Sequence, residues 1–471
     1  MLLIALWLGQ LLKGARLNVS PVHAPLLLFI GLSLFAFILG IARDFSTDIA
    51  HNYFRMALGF VLFYVVTTLV DGPLLRRLVR WLVVAGGLAA AIGVGLWALG
   101  DRAAGILLRL SVVGYPTTDV IRHLEANPAL PVRATGTSVD PNSFAGMLVL
   151  VFVLALVQAL AKREQSVGLP RWLTWATVAA SGAALILTQS RSAWLGAVAA
   201  VGIVALLRYR RLFLYGAVSA IAVLGLGLGS GYLARLSAGF ALQDPATIMR
   251  LNEYANAVAI IQKYPWFGVG FGTAGGFERE LTTGVSSVYL TIAERMGLVG
   301  LAGFGFVMFT FFAYTLPRVR RTPSPSLPQR GRGFAPLPQK GRGFAPLPAG
   351  WAGGGSAPRD AHPHPTSPAG VGAMRTPLPA GWAGGGSAPR DAHPHPTFPA
   401  EGGDVTSLST ILLGLMAAVA GALVVGVLDH YFFNIEFPHM AMLFWLYAAL
   451  AVVAVRLIDE GEKEGANGTG H

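Results

Sequence analysis

Continuous apolar runs dominate this sequence, and most are close to the roughly 20 residues that a helix needs to cross the hydrocarbon of a bilayer. Short polar connections separate them. The runs are continuous rather than alternating, which argues against a membrane β-barrel. The pattern predicts an all-α fold, a polytopic membrane helix bundle of about 11 spans. Ten spans are expected at 24–42, 53–70, 78–99, 144–161, 172–188, 193–207, 212–229, 288–316, 408–428 and 438–456.

The first apolar run, residues 1–12, is too short to cross a membrane by itself. It lacks a cleavage site of small residues, so it does not resemble a signal peptide. We interpret it as the remainder of a first span, and we expect the N-terminus of this reading frame to be truncated.

Composition favours a membrane protein over a soluble one. Hydrophobic residues make up 54% of the chain and charged residues 12%, whereas soluble domains carry roughly 25% charged residues. The net charge of +12 resides largely in short connections between spans, so we expect membrane lipids as partners and no nucleic acid. The chain has no cysteine, which excludes disulfides and thiol catalysis.

Basic residues alternate between connections, and this sets the expected orientation. Cytoplasmic connections carry an excess of Lys and Arg, so we place the basic connections inside. The other connections then face outward, namely 43–52, 100–143, 189–192, 230–287 and 429–437. The longest of them, 230–287, is polar and rich in glycine, and we expect it to contain short helices and to bind a ligand.

Residues 317–407 differ from the rest of the chain. The sequence LPAGWAGGGSAPRDAHPHPT begins at Leu347 and again at Leu378. Tracts rich in Pro and Gly with few aliphatic residues cannot bury a core, so we expect a disordered insert in a cytoplasmic connection. The functional alternative is a docking tail, or a metal site at His362, His364, His393 and His395. The remaining parts are N-terminal spans (1–129), a core (130–316) and the last two spans (408–471).

Two arginines in the outward connections are candidates for binding an anion. Arg191 lies between two spans with almost no loop, where an ionisable group is a functional candidate; a snorkelling arginine is the alternative. Arg250 precedes Glu253 by three residues, so the two share a helix face. A surface salt bridge on an interfacial helix is the alternative there. A guanidinium group suits phosphate better than an ammonium group does.

Three further outward elements bear on a site. Arg133 precedes the Asp140 turn, whose sequence also suits an N-cap, so structural and functional interpretations are both open. The turn at 264–272 contains three glycines, and we expect it to pack tightly rather than to contact a ligand. His430, between the last two spans, is either a satisfied interfacial histidine or an imidazole at the site.

In this order along the chain, the elements resemble the O-antigen ligase and O-antigen polymerase family of bacterial envelope glycosyltransferases. The resemblance covers residues 130–316. It rests on an Arg-x-x-Gly-x-x-x-Asp-Pro-Asn-x-x-Ala element, a Ser-Arg element, an arginine opening a helix, a Pro-x-x-Gly-x-Gly turn and a His-x-x-Tyr-Leu helix start. These elements begin at Arg133, Ser190, Arg250, Pro265 and Ser286. The last element departs from the family, because Ser286 stands where the family has histidine.

The resemblance implies an inverting, metal-independent glycosyltransferase of the bacterial cytoplasmic membrane that needs no cofactor. Its donor would be an undecaprenyl-diphosphate-linked oligosaccharide and its acceptor a glycan or a lipid. The implied substrate-binding residues are Arg133, Arg191, Arg250, Ser286 and Tyr289. Serine without a partner is a poor base, so the base is open, and the candidates are Glu253, His430 and Asp140.

The missing histidine leaves two other classes open. One is a transporter or flippase for a lipid-linked anion, in which the same arginines bind phosphate and no bond is made. The other is an inactive relative retained as an assembly subunit.

Overall fold

The computed structural model describes residues 9, 18–41, 46–225, 245–271, 285–321 and 402–468. Most of the expected first span, almost all of the expected insert and parts of the 230–287 connection lie outside these residues. The α-helices, numbered in chain order, are α1 His23–Ile41, α2 Thr47–Leu69, α3 Gly72–Leu99, α4 Ala103–Leu108, α5 Pro141–Leu160, α6 Arg171–Leu187, α7 Arg191–Leu207, α8 Arg211–Gly225, α9 Pro245–Lys263, α10 Val288–Arg321, α11 Gly402–Leu428 and α12 Pro438–Gly468.

The predicted all-α class is confirmed for the residues described above, where β structure is limited to one antiparallel bridge between His123 and Val132. Seven helices in this part of the chain are long and apolar enough to cross a membrane, and α7 is apolar but shorter at 17 residues. The predicted polytopic membrane bundle is therefore confirmed. The helix that the long outward connection was expected to contain is α9.

Polar caps set where two of the spanning helices begin. The Asp71 side chain accepts a hydrogen bond from the Leu74 amide at the start of α3. The Asp140 side chain accepts hydrogen bonds from the amides of Asn142 and Ser143 at the start of α5. Both helices also have a proline in their first turn, which suits that position. These signals let α3 begin several residues before its expected span.

The two helices that flank the insert also run past their expected bounds. α10 continues to Arg321 and α11 begins at Gly402, whereas we expected the insert to occupy 317–407. The reason is that polar turns extend a helix beyond the apolar part that hydropathy detects.

The centre of the bundle is α11, with α5 and α12 packed against it. Between 72% and 83% of the most apolar segment of each of these three helices is buried, compared with 22–44% for α1, α2, α3 and α10. α7 and α10 also pack on α11. The peripheral helices leave apolar side chains such as Trp81 and Val198 exposed, as contact with lipid requires.

Successive helices alternate in direction, which gives the bundle two ends. At the first end, Arg318 pairs with Asp459 at 3.0 Å and Arg208 donates a hydrogen bond to Ser409 at 3.0 Å. The second, here called the site end, contains the starts of α5, α7, α10 and α12 and the ends of α3, α6 and α11. Every candidate site residue chosen from the sequence lies at or near the site end.

One spanning helix is interrupted. α10 has a non-helical backbone at Gly297, with φ 69° and ψ −175°. The 265–270 turn that follows α9 packs against this break, with positive φ at Gly268 and Gly270. The tight packing expected for the turn is therefore observed.

Candidate functional site

A buried carboxylate, Asp429, lies at the centre of the site end. It follows α11 directly, and its side chain is 2% exposed. Ser192 of α7 donates its hydroxyl to Asp429 Oδ2 at 2.9 Å, and Arg250 Nη2 of α9 lies 3.7 Å from the same oxygen. The Asp429 carbonyl accepts the Val288 amide of α10 at 3.1 Å. One residue therefore joins four helices.

Burial makes the charge on Asp429 costly. It raises the pKa of the Asp429 carboxyl, while Arg250, His430 and the Ser192 hydroxyl oppose that rise and Asp140 adds to it. The net rise means that the buried ionised carboxylate is only partly compensated. Arg250 is the largest of the groups that favour the ionised form, so the charge state of Asp429 and the position of Arg250 depend on each other.

Arg191 and Arg250 lie on adjoining elements at this end. Arg191 is the first residue of α7, and its Nη2 donates to Thr247 Oγ1 at 3.2 Å. Thr247 is on α9, almost one turn before Arg250. Arg191 also precedes Ser192, which holds Asp429. The structure thus brings together the two arginines that the sequence singled out, 59 positions apart by their numbers.

The residue before the Ser-Arg element has an unusual backbone. Gln189 has φ 55°, in the left-handed region that non-glycine residues rarely adopt. This residue makes the reversal between α6 and α7 that sets Arg191 at the helix start. Such strain at a non-glycine residue is found most often near functional sites.

Glu253 and Tyr254 hold the segment that leads into α10. Glu253 Oε2 accepts the Ser286 amide at 3.0 Å, and the Tyr254 hydroxyl donates to the Ser286 carbonyl at 2.9 Å. Both backbone groups of Ser286 are therefore bonded to α9. The Ser286 side chain is 8% exposed. Glu253 thus fixes backbone, while the acidic partner of Arg250 is Asp429.

His430 lies beside this segment. Its Nδ1 is 3.1 Å from the Val285 carbonyl, one residue before Ser286. A carbonyl only accepts hydrogen bonds, so Nδ1 is the donor to Val285, and Nε2 is the ring nitrogen that can exchange a proton with a substrate. The ring packs on Tyr431 with centroids 4.6 Å apart and stays half-buried. An accessible, oriented imidazole is the geometry that a general base needs.

Arg133 and Asp140 fix the position of the loop before α5 through hydrogen bonds. Arg133 Nε donates to the Thr188 carbonyl at 2.8 Å, and its Nη2 donates to Asn142 Oδ1. Burial is the main cause of the lowered pKa of Arg133. Asp140 caps α5, and the buried Tyr431 hydroxyl lies against the side chains of Asp140 and Asn142. These contacts join the loop before α5 to the Ser-Arg element.

Tyr289 contacts α11 and the interior of α10. Its hydroxyl donates to the Leu423 carbonyl of α11 at 2.9 Å, and its ring meets Phe304 at 6.3 Å. These contacts fix α10 against α11. As for a metal, the residues that the structure describes contain no cluster of three or more His, Cys, Asp or Glu able to hold one. The histidine pairs of the insert lie outside those residues.

Sequence reasoning missed Asp429 and Ser192. A signal for Asp429 was present, because an acidic residue directly after a long apolar run is a costly placement that demands a partner. The sequence alone gave no way to identify that partner, since Ser192 is 237 positions away.

Comparison with known families gives an independent finding. The family model described as O-antigen ligase matches residues 176–305, which include the Ser-Arg element, α9 and the start of α10. This confirms the family resemblance stated from the motifs. A search of curated proteins finds no match.

Proposed function

We propose that this chain, in which residues 176–305 form an O-antigen ligase-type domain, transfers a glycan from an undecaprenyl-diphosphate-linked donor to a glycan or lipid acceptor. The reaction would take place at the outer face of the bacterial cytoplasmic membrane. The observation that carries the proposal is the grouping of Arg191, Arg250 and His430 on segments that Asp429 joins.

The arginines supply the donor site in this proposal. A diphosphate carries at least two negative charges, and more charge develops on the leaving oxygen as its bond to the sugar breaks. Fixed guanidinium groups in a partly dry site stabilise that charge better than mobile water does. The 3.7 Å separation orients Arg250 by charge without a direct hydrogen bond to Asp429. In this proposal the guanidinium N–H groups of Arg250 therefore bind the diphosphate instead of Asp429.

His430 is the general base in this proposal. The acceptor oxygen forms a bond to the anomeric carbon, while the bond from that carbon to the diphosphate oxygen breaks. The acceptor proton passes to Nε2 of His430, and undecaprenyl diphosphate leaves with the electron pair. Attack opposite to the leaving group inverts the anomeric configuration.

The two other candidate bases have positions that suit bracing. Glu253 Oε2 is engaged by the Ser286 amide, and Asp140 accepts two amides at the start of α5. We therefore assign positioning to both. Ser286 stands beside the base rather than acting as one, because the carbonyl that orients His430 belongs to its neighbour Val285.

The test is transfer by purified protein in lipid nanodiscs, with lipid-linked oligosaccharide and candidate acceptors. We expect His430→Gln to lower turnover by about 100-fold or more, within the range of general base catalysis, and to leave donor binding nearly unchanged. His51→Gln is the matched control, since His51 is an exposed histidine at the start of α2, also at the site end. Full activity in His430→Gln would overturn the assignment of the base.

The same assay separates the transporter alternative. Donor binding that depends on Arg191 and Arg250, without product for any acceptor, would favour transport or an assembly role. Movement of the intact donor across vesicles would then identify transport.

A further inference from the structure

The break in α10 is closed by backbone from elsewhere in the chain. A helix that breaks leaves carbonyls before the break and amides after it without partners, which is costly within a bilayer. The 265–270 turn supplies those partners. The amides of Val269 and Gly270 donate to the carbonyls of Glu294 and Arg295, each at 2.9 Å. In return, the Leu298 amide donates to the Pro265 carbonyl at 2.7 Å and the Val299 amide to the Trp266 carbonyl at 3.3 Å.

These four bonds form a clamp, defined here as the 265–270 turn paired with residues 294–299. The clamp lies some 9 residues, about 14 Å of helix, beyond the start of α10. Trp266 remains 67% exposed and Phe267 packs edge-on against Phe35 of α1. The turn therefore descends from α9 along the side of the bundle.

The clamp completes a second attachment of α9. At the other attachment, Glu253 and Tyr254 hold the backbone of Ser286. The middle of α9 is thus attached to Ser286, just before α10, and the turn that follows α9 is attached to α10 itself. Arg250 precedes both attachments along α9. The distance between its guanidinium group and Asp429 therefore depends on where the two attachments hold the helix.

We propose that the clamp is a positioning element for Arg250, in which the backbone amide at position 298 and the backbone conformation of Gly297 hold α9 in place without touching substrate. The catalytic consequence rests on the function proposed above. A shift of α9 moves the guanidinium relative to both Asp429 and the diphosphate. A misplacement of about 1 Å is enough to cost about 100-fold in rate.

Glycine is required where the backbones meet. A Cβ at Gly297 would overlap the Trp266 carbonyl, and one at Gly270 would overlap the backbone of Gly40 in α1. Both glycines also have positive φ. Gly305, on the same helix, has open space where a Cβ would stand, so Gly305→Ala is a control for adding one methyl group to α10.

Leu298→Pro tests the clamp more selectively. Proline removes the amide that donates to Pro265 and its ring displaces that carbonyl, yet the position after a break is the first of a new helical segment, where proline is tolerated. Leu298→Ala keeps the amide and removes only a side chain that is 45% exposed. The two variants therefore differ in the clamp bond.

The experiment combines a distance measurement with kinetics. The chain has no cysteine, so spin labels are introduced only at Val258 of α9 and Val198 of α7, both exposed. We expect Leu298→Pro to shift or broaden the label-to-label distance and to lower turnover about tenfold or more, with Gly297→Ala acting in the same direction. Leu298→Ala and Gly305→Ala should match the parent in both measurements.

A Leu298→Pro protein with the parent's distance distribution and turnover would overturn the proposal, as would lost turnover at an unchanged distance. Should Leu298→Pro fail to fold, Gly297→Ala against Gly305→Ala carries the same comparison. The distance readout needs no substrate, so a shift of α9 in a protein that never transfers glycan would reject the proposed function and retain the clamp.

Discussion

Replacement of Asp429 by asparagine tests the electrostatic centre of the site. Asparagine has the shape of the carboxylate, and its carbonyl oxygen can still accept the Ser192 hydroxyl. The negative charge opposite Arg250 is lost. The variant therefore isolates the charge from the packing.

The two consequences have different sizes. At 3.7 Å and an effective dielectric constant of about 20, the gross attraction between Asp429 and Arg250 is about 4 kcal/mol. Burial of the carboxylate opposes it, and the raised pKa of Asp429 indicates that burial exceeds the compensation by its partners. A neutral isostere avoids that cost, so we expect Asp429→Asn to change the unfolding free energy by no more than about 1 kcal/mol. Turnover should fall by about 100-fold, because Arg250 loses the charge that orients it.

The sign of the pH dependence follows from the direction of the shift. Because the folded pKa of Asp429 lies above its unfolded value, ionisation opposes folding. The penalty is absent below the unfolded pKa and grows as pH rises through the interval up to the folded pKa. The stability of Asp429→Asn relative to the parent should therefore increase as pH rises above about 4, the ordinary pKa of an aspartate.

Thermal unfolding in nanodiscs at several pH values and single-turnover transfer at one pH measure the two consequences. Asp429→Ala is the contrasting variant: it removes the acceptor for Ser192 as well as the charge and should be less stable than Asp429→Asn by about 1–3 kcal/mol. The reasoning is refuted if Asp429→Asn retains the parent's turnover. It is also refuted if Asp429→Asn is as unstable as Asp429→Ala, since the carboxylate would then be a net stabiliser of the fold.

Four other measurements address separate parts of the molecule. Arg250→Lys keeps the charge but loses the planar fork, so transfer should fall more than donor binding in parallel assays; equal losses would contradict this. Gln189→Gly should raise the unfolding free energy by about 1 kcal/mol by relieving the left-handed backbone, and a lower melting temperature would contradict that origin. Reporter fusions at residues 210 and 260 should fall on opposite sides of the membrane. Deletion of residues 325–398 should leave insertion and transfer nearly unchanged, since we expect a tract so rich in Pro and Gly to bury little apolar surface; lost transfer in a well-expressed deletion would give the tract a role.

Local physics made the helices predictable. Hydropathy located the spans because burying an apolar run in lipid needs no knowledge of its neighbours. The helix cap at Asp140 was also predictable from the sequence, because the amides that donate hydrogen bonds to its side chain are only two and three residues away. The grouping of Arg191 and Arg250 at one end followed from counting alternating spans.

Long-range pairing was not predictable. A single glycine such as Gly297 is tolerated inside a helix, so the sequence predicts one helix over 288–316. The break became possible because the 265–270 turn bonds the backbone groups that it frees. The sequence likewise suggested Glu253 as the partner of Arg250 from their spacing. A carboxylate from the end of α11 takes that place, and spacing within one helix carries no information about a residue on another.

The same limit explains why position 286 is a poor guide to the base. A general base is defined by where its nitrogen lies relative to the reacting proton, and unrelated chain positions can supply it. Here the connection after α11 is joined to the segment before α10 by two contacts, from the Val288 amide to the Asp429 carbonyl and from His430 to the Val285 carbonyl. An imidazole borne by that connection therefore stands next to the position that the family motif gives to histidine. If proximity is what matters, Ser286→His should restore part of the turnover lost in His430→Gln; no recovery in a folded double variant that still binds donor would show that the two positions are not interchangeable.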